Sequence, residues 1–163
     1  EFARARAALA ATGRPDLVAR AELRRCAARV ASLAGDDCPG FRALAADATG
    51  EERAYAAFLA GELREADPRL PAHHRPVAAG DAAALAAIAD PFARLVAAGV
   101  LFRQGRLPPQ GIALATETAS AEGWRRPLLA WLGVQEQRSR EAGDVEAAGA
   151  IARRRALVAG EDR

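Results

Sequence analysis

Apolar residues recur at helical spacing along the chain. Leu23, Cys26, Val30 and Leu33 fall on one stripe, Tyr55, Phe58, Leu59 and Leu63 on another, and Leu128, Trp131, Leu132 and Gln135 on a third. Phe92, Leu95, Val96, Val100, Leu101 and Phe102 cover more than one face, which predicts either the most buried helix of the molecule or one that shows a surface to a partner.

The signals between these stripes set helix ends. Thr12-Gly13-Arg14-Pro15 closes a first helix and Asp16 can cap a second that runs to about Ala34. Pro39 suits the first turn of a short third helix. Thr49-Gly50-Glu51-Glu52 fits a capping box, in which the Thr49 hydroxyl and the Glu52 carboxylate each accept from the other's backbone amide. A helix through Leu85 and Ile88 leads to Asp90-Pro91, a cap followed by proline at the first helical position. Further helices follow over 110–121, from Pro127 to Ala142-Gly143, and after Asp144 with Ala148, Ile151 and Val158 inward. The pattern predicts an all-α bundle of about eight short helices in antiparallel hairpins. It forms a single domain over 1–163, with the proline-rich connection 67–80 as the place for a subdomain break or functional loop.

Composition sharpens this picture. Hydrophobic residues make up 51% of the 163 residues but aromatic ones only 5%, and alanine supplies much of the difference. Such a chain builds its core from close helix contacts with few large anchors, since alanine has the best helix propensity and strand-favouring residues are sparse. All 23 basic residues are arginine, and lysine, asparagine and methionine are absent, the bias of a GC-rich bacterial genome. Arginine is therefore simply the available cation and does not by itself signal phosphate or nucleic-acid recognition. With a net charge of +2 and no one-signed half, a nucleic-acid face is not indicated, and charges interrupt every run long enough to span a bilayer.

Cys26 and Cys38 form an even pair across the turn Gly35-Asp36-Asp37. In an exported protein they would make a disulfide stapling one helix to the start of the next; otherwise Cys26 serves as a small buried thiol on its stripe. The start at Glu1-Phe2, without methionine, predicts a processed or engineered terminus from which a signal peptide or lipid-anchor segment was removed.

In the C-terminal third, Leu128-Leu129-Ala130-Trp131-Leu132-Gly133, then Ala142-Gly143-Asp144, then Ala147-Ala148 and Ala152 resemble a degenerate tetratricopeptide repeat. The resemblance covers about one repeat, lacks the closing proline and has no second copy in register. It implies a helical-repeat-like hairpin and peptide or protein binding on a concave face.

Candidate chemistry is thin. His73 and His74, the two histidines of the chain, sit in the proline-flanked loop and suit a partner-facing or pH-sensitive contact better than a metal site, since adjacent residues of an extended segment point apart. Trp124 and Trp131 bracket Arg125-Arg126-Pro127. Trp131 fills the hairpin core, while Trp124 either stacks at the turn or anchors an interface. Glu117, among Thr116, Thr118 and Ser120, suits a structural hydrogen-bond role, and the run Arg153-Arg154-Arg155 spreads around its helix and is diluted by Glu161 and Asp162. No nucleophile elbow, phosphate loop or Cys-x-x-Cys is present.

These observations point to a non-enzymatic protein–protein interaction or assembly domain of a bacterial cell-envelope protein, periplasmic or outer-membrane-associated. A lipoprotein anchor would lie outside this chain. Its candidate partner contacts are Trp124, Arg125, Arg126, His73 and His74, and no cofactor or metal is called for. The alternatives are a small-molecule or lipid-binding helical bundle whose pocket is lined by Phe92–Phe102, and a cytoplasmic regulatory or nucleic-acid-associated domain.

Overall fold

The computed structural model describes residues 1–35, 37–62 and 65–160, and among them every regular element is helical. In chain order these are α1 (Phe2–Ala10), α2 (Pro15–Ala31), the single turn α3 (Pro39–Arg42), α4 (Gly50–Ala60), the single turn α5 (Arg75–Ala78), α6 (Pro91–Arg103), α7 (Pro109–Ala121), α8 (Arg125–Glu141) and α9 (Val145–Ala159). Short 3₁₀ turns occupy Ala45–Asp47, Ala72–His74 and Ala82–Ala87. The all-α reading with packed hairpins is what the structure shows.

Local chemistry sets most of the boundaries. The Thr49 hydroxyl accepts the Glu52 amide at 3.2 Å and the Glu52 carboxylate accepts the Thr49 amide at 2.9 Å, completing the capping box that starts α4. Asp90 and Asp144 cap α6 and α9 by accepting from Ala93 and Ala147. Two expectations change. Proline at position 15 takes the first helical position, so Arg14 is the cap of α2 and Asp16 sits inside the first turn, paired with Arg14. The helix expected through Leu85 and Ile88 is a six-residue 3₁₀ turn ending at Ala87. Ile88 is already extended (ψ 110°) and Asp90 must be extended before Pro91 (ψ 119°), so the segment capped by Asp81 stops at Ala87. Leu63, Glu161 and Asp162 lie outside the described residues.

Helices α2 and α6 form the centre. α6 buries every residue from Leu95 to Leu101, and it crosses α2 so closely that a Cβ on Gly99 would stand 2.3 Å from the Val30 carbonyl oxygen. Only glycine permits that approach. α4 and α1 flank α2, α7 packs on α6, and α8 and α9 follow as successive hairpins, α8 on α7 and α9 on α8. Trp131 of α8 is fully buried, and its indole N–H donates to the Ala31 carbonyl at 3.1 Å, tying the C-terminal hairpins to the end of α2. A disulfide joins Cys26 of α2 to Cys38 at the start of α3, with 5.4 Å between the Cα atoms.

The connection 67–80 is less irregular than its prolines suggest. Leu70 and Val77 anchor it in the same hydrophobic core as α2 and α6. Asp67 accepts the Arg69 amide and guanidinium, and Arg75 donates to the carbonyls of Leu70 and Pro68, both at 2.8 Å. The Arg69 amide and the Pro68 and Leu70 carbonyls, which lie outside the two single turns of this stretch, are thus met from within it.

Candidate functional site

A concavity of about 870 Å³ opens between α2, the start of α4, the connection 68–75 and the start of α6. Its wall on α2 arises from helical spacing. Arg20 and Arg24 lie on one i, i+4 line that continues to Ala28 and Ser32, and Leu23, Ala27 and Ala31 lie on the adjacent line. A second compartment of about 500 Å³ is lined by Ala28, Ala31 and Ser32 further along α2 and by 123–127. Phe92 lines both, so the two compartments meet at its ring along one face of α2.

Aromatic rings form the floor of the larger compartment. Tyr55 and Phe58, three residues apart on α4, pack at 6.2 Å, and the His74 ring lies 4.7 Å from Phe58 and 6.0 Å from Tyr55. His73 meets His74 edge-on at 4.3 Å. The 3₁₀ turn therefore brings the two imidazoles together rather than pointing them apart as an extended segment would. His74 is only 2% exposed while His73 is at the surface. The Nδ1 of His74 is buried with no hydrogen-bond partner among the described residues.

Burial dominates the electrostatics here. It pushes the Tyr55 hydroxyl up to about 12, and it pushes the His74 imidazole down to about 3, with the neighbouring His73 acting in the same direction and Asp90 opposing. At neutral pH Tyr55 stays protonated and His74 stays neutral.

The arginines around the cleft differ in what they hold. Arg20 donates to Glu52 at 3.0 Å, Arg69 is paired with Asp67 at 2.7 Å, and Arg75 is spent on loop carbonyls. Arg24 has no hydrogen-bond or ion-pair partner among the described residues, although its charge is felt at Tyr55. The Tyr55 hydroxyl likewise has no partner among them.

Of the residues singled out from sequence, His73 and His74 line the first compartment and Trp124, Arg125 and Arg126 line the second. Phe92 links the two groups, its ring 6.3 Å from that of Trp124 in an edge-on arrangement. Arg125 also donates to the Ala159 carbonyl at the end of α9. Trp131 is core and takes no part. Glu117 is exposed while the hydroxyls beside it are structural: Thr116 donates to Ile112, Thr118 accepts from Arg94 and Ser120 accepts from Arg154. Arg155 pairs with the buried Glu136, so the arginine run splays as its helical positions require. Among the described residues no three His, Cys, Asp or Glu side chains group as metal ligands.

Sequence reasoning missed Arg24, Ala28 and Tyr55. Arg24-Arg25 reads as a solvated pair, yet Arg25 lies over the Phe2 ring at 4.7 Å while Arg24 faces the cleft. Tyr55 reads as core because it shares a stripe with Phe58. The i, i+4 line Arg20, Arg24, Ala28 was visible, but nothing in the sequence says that this face lacks a covering helix.

Comparison with known proteins finds no matching family model, no matching curated protein and no matching solved structure.

Proposed function

We propose that this chain is a non-enzymatic binding domain that docks a segment of a partner protein into the groove along α2, as part of a bacterial cell-envelope assembly. The observation that carries the reading is the two-compartment groove meeting at Phe92, with the histidine pair at one end and Trp124-Arg125-Arg126 at the other. Counting from Arg20 to Ser32 along α2, it is roughly 18 Å long, the length of a short peptide segment. Half-buried aromatics beside arginines are the composition of interface anchors. Binding rather than proton transfer is favoured by the titration of the floor: a phenol at about 12 and an imidazole at about 3 exchange no proton near neutral pH.

The Cys26–Cys38 disulfide supports an oxidising compartment, and no helix of the described residues is long and apolar enough to cross a membrane. A photo-crosslinking residue placed at exposed Ala28 in the native host tests the reading. A discrete protein adduct from position 28, absent when the same residue is placed at Glu146 on α9, is expected; no adduct, or the same adduct from both positions, contradicts it.

A small-molecule reading has one observation in its favour, since about 870 Å³ with a largely apolar lining falls within the size of ligand pockets. Of the helix expected to line a pocket, Phe92 and Ala93 border that space, while Leu95 to Leu101 are core and Phe102 is exposed elsewhere. Thermal shifts with apolar ligands that survive the Ala28→Trp change would favour it.

A further inference from the structure

Two polar side chains line the larger compartment without engaging another described residue. The exposed guanidinium of Arg24 and the half-buried hydroxyl of Tyr55 both lack hydrogen-bond and ion-pair partners among the described residues, and both border the same cavity. Both are donors, and together they match a carboxylate, which accepts from an arginine fork and a hydroxyl at once. The carboxylates already lining the compartment are matched. Glu52 accepts from Arg20 and from its own cap amide, Asp90 accepts from Ala93 at the positive end of α6, and Glu51 faces Arg69. Across both compartments six arginines stand against three carboxylates. Beside Arg24 the wall is apolar and low, made by Leu23, Ala27 and Ala28, which lets another backbone come close.

Resting on the binding reading above, we infer that the groove recognises an acidic amphipathic helix of a partner protein, with one of its carboxylates held between Arg24 and Tyr55. Its apolar face lies on the half-buried Phe92 ring and on exposed Ala28, above the buried Leu23 and Ala27. A helix of roughly 12 residues matches the 18 Å of α2 that is open to it. The buried His74 forms the floor beneath the carboxylate site as a neutral ring and does not itself compete for the anion.

Three fluorescein-labelled helical peptides with leucine on one face test this, their other face built from glutamate, glutamine or lysine, with binding read by fluorescence polarisation at low salt. The glutamate peptide is expected to bind roughly tenfold more tightly than the glutamine peptide, and the lysine peptide most weakly. Arg24→Gln, a surface change whose fold is checked by circular dichroism, is expected to erase most of the glutamate preference while leaving the glutamine peptide's affinity unchanged. Ala28→Trp is expected to block every peptide. Equal binding of the glutamate and glutamine peptides, or a glutamate preference that survives Arg24→Gln, overturns the carboxylate site while blockage by Ala28→Trp still upholds the groove. Binding that survives both variants overturns the groove as well. If none of the three peptides binds, the acidic-helix inference fails and the crosslink from position 28 alone decides the wider reading.

Discussion

The two halves of this molecule are held together differently. In α7–α9 each helix packs on its sequence neighbour, the turns are short, and the last helix buries only Ala148, leaving Val145 81% and Leu157 67% exposed. Its polar fastening is Glu136 of α8, buried and engaged by Arg140 and Arg155, whose guanidinium groups hold its carboxyl below the usual range. Around α2 and α6, by contrast, the contacts come from far apart in the chain: the Gly99–Val30 crossing and the connection 67–90 threaded through the core on Leu70, Val77, Leu85 and Ile88. A regular hairpin covers its own apolar stripe. A connection of single turns cannot, and the gap it leaves on α2 is the groove.

That contrast can be broken at its joint. Trp131→Ala removes a fully buried side chain and its bond to Ala31, and is expected to cost about 4 kcal/mol in denaturant unfolding, with both halves losing cooperativity. A loss below about 1 kcal/mol would mean that the C-terminal hairpins stand independently of α2.

Next in size is the disulfide. Replacing Cys26 and Cys38 together by serine frees a 12-residue separation, and chain-entropy arguments put the cost at about 3 kcal/mol. Hydrogen exchange should rise in α2 and α3 and stay unchanged in α8 and α9; equal deprotection of both halves would remove the distinction drawn between them.

Between pH 7 and 5 the buried imidazole gives the groove side a pH dependence of its own, above the carboxylate range in which Glu136 ties the hairpins to pH. His74 titrates near 3 in the folded state against 6.5 when unfolded, so the unfolded chain binds the extra proton between these values and stability falls with pH through that window. From pH 7 to pH 5, above the carboxylate range, the loss is about 2 kcal/mol. His74→Phe keeps a ring against Phe58 and should flatten the profile over this interval. A profile identical to that of the unmutated protein would place the pH dependence elsewhere.

The smallest effect belongs to the regular half. Asp144→Ala removes the α9 cap bond to Ala147 and is expected to cost about 1 kcal/mol, fraying α9 alone in exchange measurements and leaving the groove untouched.

The legibility of the sequence follows the same division. Caps at Thr49, Asp90 and Asp144 and the stripe through Leu128, Trp131 and Leu132 are local signals that the structure keeps, whereas Asp16 yields the α2 cap to Arg14 because Pro15 takes the first helical position. The 82–87 segment misled because composition favoured a helix while the extended residues before Pro91 end it as a 3₁₀ turn. The site residues divide likewise. His73, His74, Trp124, Arg125 and Arg126 stood out as rare or clustered types, and the structure sets them along one groove. Arg24 and Tyr55 were camouflaged by an arginine-rich surface and a helical stripe, since which face of α2 stays uncovered depends on contacts with the distant segment 67–93.

If the α2 groove binds and the α8–α9 face does not, a residue-resolved amide chemical-shift map with the glutamate peptide will separate the two surfaces. Perturbations are expected at Arg24, Ala28, Tyr55, His74 and Phe92, with α9 silent. Perturbations centred on exposed Val145 and Leu157 of α9, with α2 silent, would contradict groove binding.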